Sequence, residues 1–278
     1  SASSGHAATA NVSSTFKFRG PATTIASGCA TGLDVLQWGV EQIRYGHADA
    51  AIVGASESPL TPLTMAVSCS LNIVSKRNDD PAKAMRPFDK QSDGIVLSEG
   101  AGALILERES NARARGAKIY GEFAGYAAAA EGNNPLVIDK EGKALARAIE
   151  NALRGAGMNA QELDAAVCHG VSLPMYDRSE SAAYKRALGK HAYHIPITAP
   201  KSMTGQPYAA GGLIGLGAAL MCLDRGIISP TINLSEPDPD CDLDYVPNQS
   251  RMNDVRSILV TAMSFGGTHS GVVLRKCA

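Results

Sequence analysis

Cys29, His169, Lys201 and the turn Phe265-Gly266-Gly267-Thr268 carry the side chains and backbone groups best placed to do chemistry. Cys29 lies in Ser27-Gly28-Cys29, where an extended run, Thr23 to Ala26, meets a helical pattern. A helix N-terminus stabilises negative charge and lowers a thiol's pKa, and the neighbouring glycine lets a substrate approach, so this cysteine fits a thiolate nucleophile. A buried structural thiol is the competing reading, and it is the default for Cys69, Cys168, Cys222, Cys241 and Cys277. None of the cysteines forms a CxxC pair or has metal-ligand spacing, so no metal site is expected. His169 follows a short apolar strand pattern, Ala165 to Cys168. A histidine and a cysteine from different segments are the parts of a thiolate system, although a lone histidine after a strand often serves structure. Lys201 stands beside a glycine turn in Pro200-Lys201-Ser202-Met203-Thr204-Gly205-Gln206, where a surface lysine is the plain alternative. The Gly266-Gly267 turn leaves backbone N–H groups free to face a ligand.

Two rounds of α/β pattern position these groups. Leu33, Leu36, Val40 and Ile43 recur at three-four-three spacing, with Gly46 placed to end the helix and an apolar strand, Ala50 to Gly54, after it. Polar residues 75–94 read as loop, and Leu104-Ile105-Leu106 as an exit strand. The second round has a strand over Lys118 to Ala127 and a helix marked by Leu145, Ile149, Ala152 and Leu153. Leu213, Leu216, Leu220 and Leu223 mark a further helix ended by Gly226, and strands follow at Ser257 to Met263 and Gly271 to Arg275. The interval from Gly32 to Gly46 equals that from Gly212 to Gly226, which suggests a duplicated unit.

The 278 residues are 45% apolar and 19% charged with net charge −1, the balance of a globular chain rather than a disordered one. Neither a nucleic-acid footprint nor a membrane-length apolar run is present. With scattered thiols and no secretory signal pattern, the expected compartment is reducing and cytoplasmic.

The runs TIASGCATGLD, HGVSLPMYDRSESAAYKRALG, PKSMTG, PTINLSEPDPDCDLDYVP and SFGGTHSG resemble the β-ketoacyl-acyl-carrier-protein synthases, in one order along the whole chain. The likeness is greatest to the ketosynthase and chain-length-factor subunits of type II polyketide and fatty-acid systems. It implies a thiolase-like fold, a duplicated five-layered α-β-α-β-α structure. Residues 1–116 would be the remainder of the first half, with the N-terminal third of the family fold absent, and 117–278 the second half. By the same resemblance Cys29 matches the acylated nucleophile, His169 the catalytic histidine, Lys201 its supporting lysine and Glu180 the acidic residue behind. The N–H groups of Cys29 and Phe265 match an oxyanion hole, with Phe265 the gate. No permanently bound cofactor is implied; the phosphopantetheine arm of an acyl carrier protein brings the substrate.

Departures from the family pattern cluster on one function. Gln206 stands where a second histidine is usual, and Val171 and Leu173 where hydroxyl residues hold the pantetheine arm. His269 replaces an asparagine, and Asn134 and Leu136 replace a histidine and a threonine. Glutamine still donates a neutral N–H but is neither a charged donor nor a base. The resemblance therefore implies acyl loading of Cys29 and Claisen-type transfer to a carbon nucleophile, with decarboxylation impaired. A non-catalytic chain-length-factor-like subunit is the rival, against which the retained cysteine argues. A thiolase or cysteine hydrolase fits less well, because the second thiolase cysteine motif is missing and Cys277 is no substitute. Expected partners are the carrier protein, the N-terminal piece of the same protein, and a second subunit in a homodimer or ketosynthase-like heterodimer.

Overall fold

The computed structural model describes residues 4–277. Helix α1 (Ala7–Phe16) precedes an unpaired stretch and a single 3-10 turn, Gly28–Ala30, which feeds α2 (Thr31–Arg44). Strand β1 (Ala50–Glu57), α3 (Pro62–Ser70), β2 (Gly100–Glu107) and α4 (Glu109–Ala114) follow. Next come β3 (Glu122–Ala130), α5 (Lys143–Gly155), β4 (Ala165–Val167), α6 (Pro174–Leu188), β5 (Ile197–Thr198) and α7 (Lys201–Thr204). The chain closes with α8 (Ala209–Arg225), β6 (Ile227–Ile228), β7 (Arg251–Met252), β8 (Ser257–Met263) and β9 (Thr268–Arg275).

Five strands form one mixed sheet in the order β3-β9-β8-β4-β5. Its central strand β8 runs parallel to β4 and antiparallel to β9. Every residue of β8 is buried, as expected of a strand covered on both faces. Leu145, Ile149 and Ala152 of α5 pack with Leu259 and Val273 on one face. Leu213 and Leu216 of α8, with Leu33 and Leu36 of α2, pack with Val260 and Val272 on the other. Beyond α2 and α8 lies the antiparallel β1–β2 pair, whose Val53 joins the same core. The described residues thus make four stacked layers: α5 and α6, the large sheet, α2 and α8, then β1–β2.

The duplication is real in three dimensions. Each of α2 and α8 packs against an antiparallel strand pair, α2 on β1–β2 and α8 on β8–β9, the latter reached only after the short β6–β7 pair. Each ends near a glycine at positive φ, Gly46 at 74° and Gly226 at 66°, the conformation that lets a helix stop without a Cβ penalty. The two helices meet backbone to backbone at Gly32 and Gly212. A Cβ on Gly32 would fall 2.5 Å from Leu213 N, inside any permissible contact, whereas one on Gly212 would stop 3.1 Å from Gly32 Cα. Gly32→Ala should therefore lower stability by roughly 1–3 kcal/mol through overpacking. Gly212→Ala should cost less, and paired thermal melts check the order.

Two expectations need correction. Thr23 to Ala26 is not a strand: among the described residues no neighbouring strand supplies ladder partners, and Thr9 of α1 donates to Thr23 O at 3.2 Å. Cys29 accordingly sits in the middle of a 3-10 turn rather than at a strand end. Helices α1, α3, α4, α6 and α7 have no counterpart in the sequence reading.

Candidate active site

Cys29 is carried on the turn entering α2, where Gly28 takes φ 62°. A Cβ there would press on the Ser264 side chain at 3.2 Å, so glycine is required for both conformation and space. Ser264 fastens this turn to the Phe265 loop. Its hydroxyl donates to Ser27 O at 2.6 Å and accepts from Ala30 N at 2.8 Å. Asp34, one turn along α2, accepts hydroxyls from Ser27, from Tyr126 at 2.9 Å and from Ser270 at 2.6 Å. The nucleophile turn is thus bolted to β3 and β9 before any substrate arrives.

The structure brings together the residues that the sequence singled out. Gln206 Nε2 donates to Cys29 Sγ at 3.2 Å, and the N–H groups of Phe265 and of Cys29 itself face the sulfur. Gln206 is held by main-chain bonds to the 96–98 segment, its N–H to Val96 O at 2.8 Å and its carbonyl from Ser98 N at 3.2 Å. Its Oε1 is buried without a partner. Lys201 Nζ contacts His169 Nδ1 at 2.8 Å and His169 O at 2.6 Å. Because Nδ1 accepts from Lys201, the neutral imidazole carries its proton on Nε2. Burial, then the Lys201 charge, then His269 hold His169 well below the usual histidine range, so it stays neutral at physiological pH. Glu180 braces this loop from behind, accepting from His169 N at 2.6 Å, Gly170 N at 2.8 Å and Thr261 Oγ1 at 2.8 Å.

One electrostatic expectation is overturned. Lys201 and the two N–H groups pull the Cys29 pKa down, but complete burial outweighs them and pushes it up to about 11. The thiol is therefore stored protonated among buried groups that also offer donors to an anion. Thiolate forms there by giving its proton away, not by standing ionised at neutral pH.

The remaining positions fall as follows. Val171 and Leu173 are buried at 2% and 6% exposure in the α5–α6 core, with Val171 N donating to Asp177 Oδ1 at 2.9 Å. Phe265 is 40% exposed at the rim. Asn134 accepts from Leu136 N at 3.0 Å, and Leu136 itself is exposed. Sequence reasoning missed Glu131, Asp177 and Tyr176. Glu131 accepts His269 Nε2 at 2.8 Å, and its own N–H reaches Gly267 O at 2.8 Å, tying the loop after β3 to the Phe265 turn. Asp177 accepts from Phe88 N at 3.0 Å, and burial raises its pKa to about 7. Among the described residues no cluster of three or more His, Cys, Asp or Glu could hold a metal ion. No helix among them is long and apolar enough to cross a membrane.

Comparison with known proteins places this arrangement. Residues 2–112 match the model of the beta-ketoacyl synthase N-terminal domain, and residues 120–235 that of the C-terminal domain. The chain belongs to the beta-ketoacyl synthase family. The chain is 41% identical to the tetracenomycin polyketide synthase ketoacyl synthase alpha subunit of Streptomyces glaucescens, over 92% of its own length and 60% of the relative's. It is also 41% identical to the 3-oxoacyl-[acyl-carrier-protein] synthase 2 of Synechocystis, over 93% of its length and 62% of the relative's. The chain therefore spans about three-fifths of these relatives. Among solved structures, a type II polyketide ketosynthase in complex with its acyl-carrier protein superposes with TM-score 0.96 at 39% identity, over 98% of this chain and 67% of that one. The ishigamide ketosynthase/chain length factor superposes with TM-score 0.86 at 32% identity, over 92% and 61%. The fold is the thiolase-like ketosynthase fold.

Proposed function

We propose that Cys29 is the acyl-accepting nucleophile of a ketosynthase acting in polyketide or fatty-acid synthesis. Cys29 Sγ attacks the carbonyl carbon of a carrier-bound thioester, its proton passing to the phosphopantetheine thiolate that leaves. The N–H groups of Cys29 and Phe265 hold the oxygen of the tetrahedral intermediate. In the second half-reaction the extender thioester loses carbon dioxide, its enolate carbon attacks the acyl carbonyl, and Cys29 leaves as thiolate and takes up a solvent proton to restore the resting thiol. The His169 Nε2–H and the Gln206 amide N–H are the two donors for the enolate oxygen. Lys201 fixes the His169 tautomer, and Glu180 holds the His169 loop.

The observation that carries this reading is the convergence of Gln206 Nε2 and the Phe265 N–H on Cys29 Sγ, beside a Lys201–His169 pair. A subunit with no covalent role has no use for a buried cysteine so equipped. The chain-length-factor alternative draws on Gln206 and on the apolar Val171 and Leu173. The partners that follow are an acyl carrier protein and an identical or ketosynthase-like second subunit, in the cytoplasm. The same reading divides the chain into 1–116 and 117–278, in keeping with the two family matches.

The test is mass spectrometry of the intact protein mixed with acylated carrier proteins. An acyl adduct should appear on the Cys29 peptide, and Cys29→Ala should abolish it. Because the thiol pKa lies near 11, labelling by a small alkylating agent at Cys29 should rise about tenfold per pH unit from pH 7 to 9. A folded protein that acquires no adduct from any carrier would favour the non-catalytic subunit.

A further inference from the structure

Tyr176, in the first turn of α6, faces the site with a polar group that has no work within the described residues. The side chain is 6% exposed, and its ring lies against Phe265 with 5.1 Å between centroids. Its hydroxyl makes no hydrogen bond to any described residue. Burial, followed by the charges of Cys29 and Glu131, pushes its ionisation up, which puts the phenol within electrostatic reach of both and keeps it a neutral O–H donor. The oxygen is not fully enclosed, which leaves it open to an entering ligand.

The position selects the partner. Phe265 is partly exposed while Cys29 is buried, and the Phe265 N–H faces the sulfur, so the Tyr176–Phe265 pair adjoins the sulfur on a side that reaches solvent. A carrier protein is too large to follow its arm inward. When a thioester carbonyl sits at Cys29, the thiol half of that thioester must occupy the path to solvent. The first polar group on that half is the terminal amide, separated from sulfur by the cysteamine carbons.

We propose that the Tyr176 hydroxyl donates to the terminal amide of the phosphopantetheine arm and takes over the arm-holding task that Val171 and Leu173, lacking hydroxyls, do not perform. The assignment rests on Cys29 being the acyl acceptor. Tyr176 is a substrate-binding residue here, acting on the arm and not on the bond that breaks.

Tyr176→Phe keeps the ring contact and removes only the donor. Acylation of Cys29 in the intact protein would be followed with two small donors: an N-acetylcysteamine thioester, which retains the amide, and the matching ethyl thioester, which lacks it. The expected result is a KM roughly fivefold to tenfold higher for the amide-bearing donor, the worth of one neutral hydrogen bond, with the maximal rate unchanged. The ethyl thioester should not distinguish the two proteins, and their melting temperatures should agree. Equal effects on both donors, or no effect on either, overturn the assignment. Failure of the unsubstituted protein to acylate Cys29 from any donor overturns the parent reading and this one with it.

Discussion

Gln206→His should raise malonyl decarboxylation, and Gln206→Ala should depress the residual rate by about 10²–10³-fold, the usual cost of one lost oxyanion donor. Gln206 is 1% exposed, and its amide nitrogen already lies 3.2 Å from Cys29 Sγ, so the side chain at this position reaches the reacting centre. An amide N–H is a neutral donor. It stabilises an enolate oxygen less than an imidazole that can also take up charge as the enolate forms. The unpartnered Oε1 is a further mismatch, since a bare acceptor beside a developing anion repels it. Release of carbon dioxide from a malonyl carrier thioester, normalised to folded protein by melting, gives the comparison. Equal rates in all three proteins would mean that position 206 does not face the extender.

How much of this was legible in the sequence depends on what each element buries. The helices α2, α5 and α8 present apolar stripes, and their periodicity gives them away. Helix α6 turns Asp177, Ser179, Glu180 and Ser181 inward, so the helix that braces His169 shows no stripe at all. Its buried carboxylates and hydroxyls find most of their partners in other segments, among them backbone N–H groups, the Asp139 carbonyl and the Thr261 and Tyr245 hydroxyls, and no spacing rule announces them. Thr23 to Ala26 has β-prone composition, yet pairing needs a neighbour and none is present among the described residues. The Cys29 thiol was placed correctly at a helix start, but its acidity was misjudged. Helix ends and cations act through short distances, whereas burial depends on the whole fold, and here burial wins. The Glu131–His269 contact joins residues far apart in the chain across the β3–β9 pair, and only the register reveals it.

The duplication carries the last prediction: residues 1–278 purified alone should self-associate, and Ile52→Lys with Ile105→Lys should make them monodisperse. Ile52 and Ile105 are a Cα-matched pair on the face of β1–β2 turned away from α2 and α8. The corresponding pair on β8–β9, Leu259 and Val273, is matched in the same way and lies fully buried beneath α5. Ile52 and Ile105 are instead 44% and 70% exposed. The edges repeat the contrast. In the large sheet β9 is flanked by β3, and β8 by β4 and then β5, while β1 and β2 pair only with each other. A cover equivalent to that of β8–β9 would place an antiparallel strand beside β2, two strands beside β1, and a helix over Ile52 and Ile105. Until those groups are covered, open edges and apolar faces drive association. Covering each isoleucine is worth about 1.5–3 kcal/mol, so the lysine substitutions should destabilise the assembled protein while improving the behaviour of the isolated chain. Light scattering and thermal melting read both effects. A monodisperse, cooperatively melting monomer from the unsubstituted chain would mean that the β1–β2 face needs no cover.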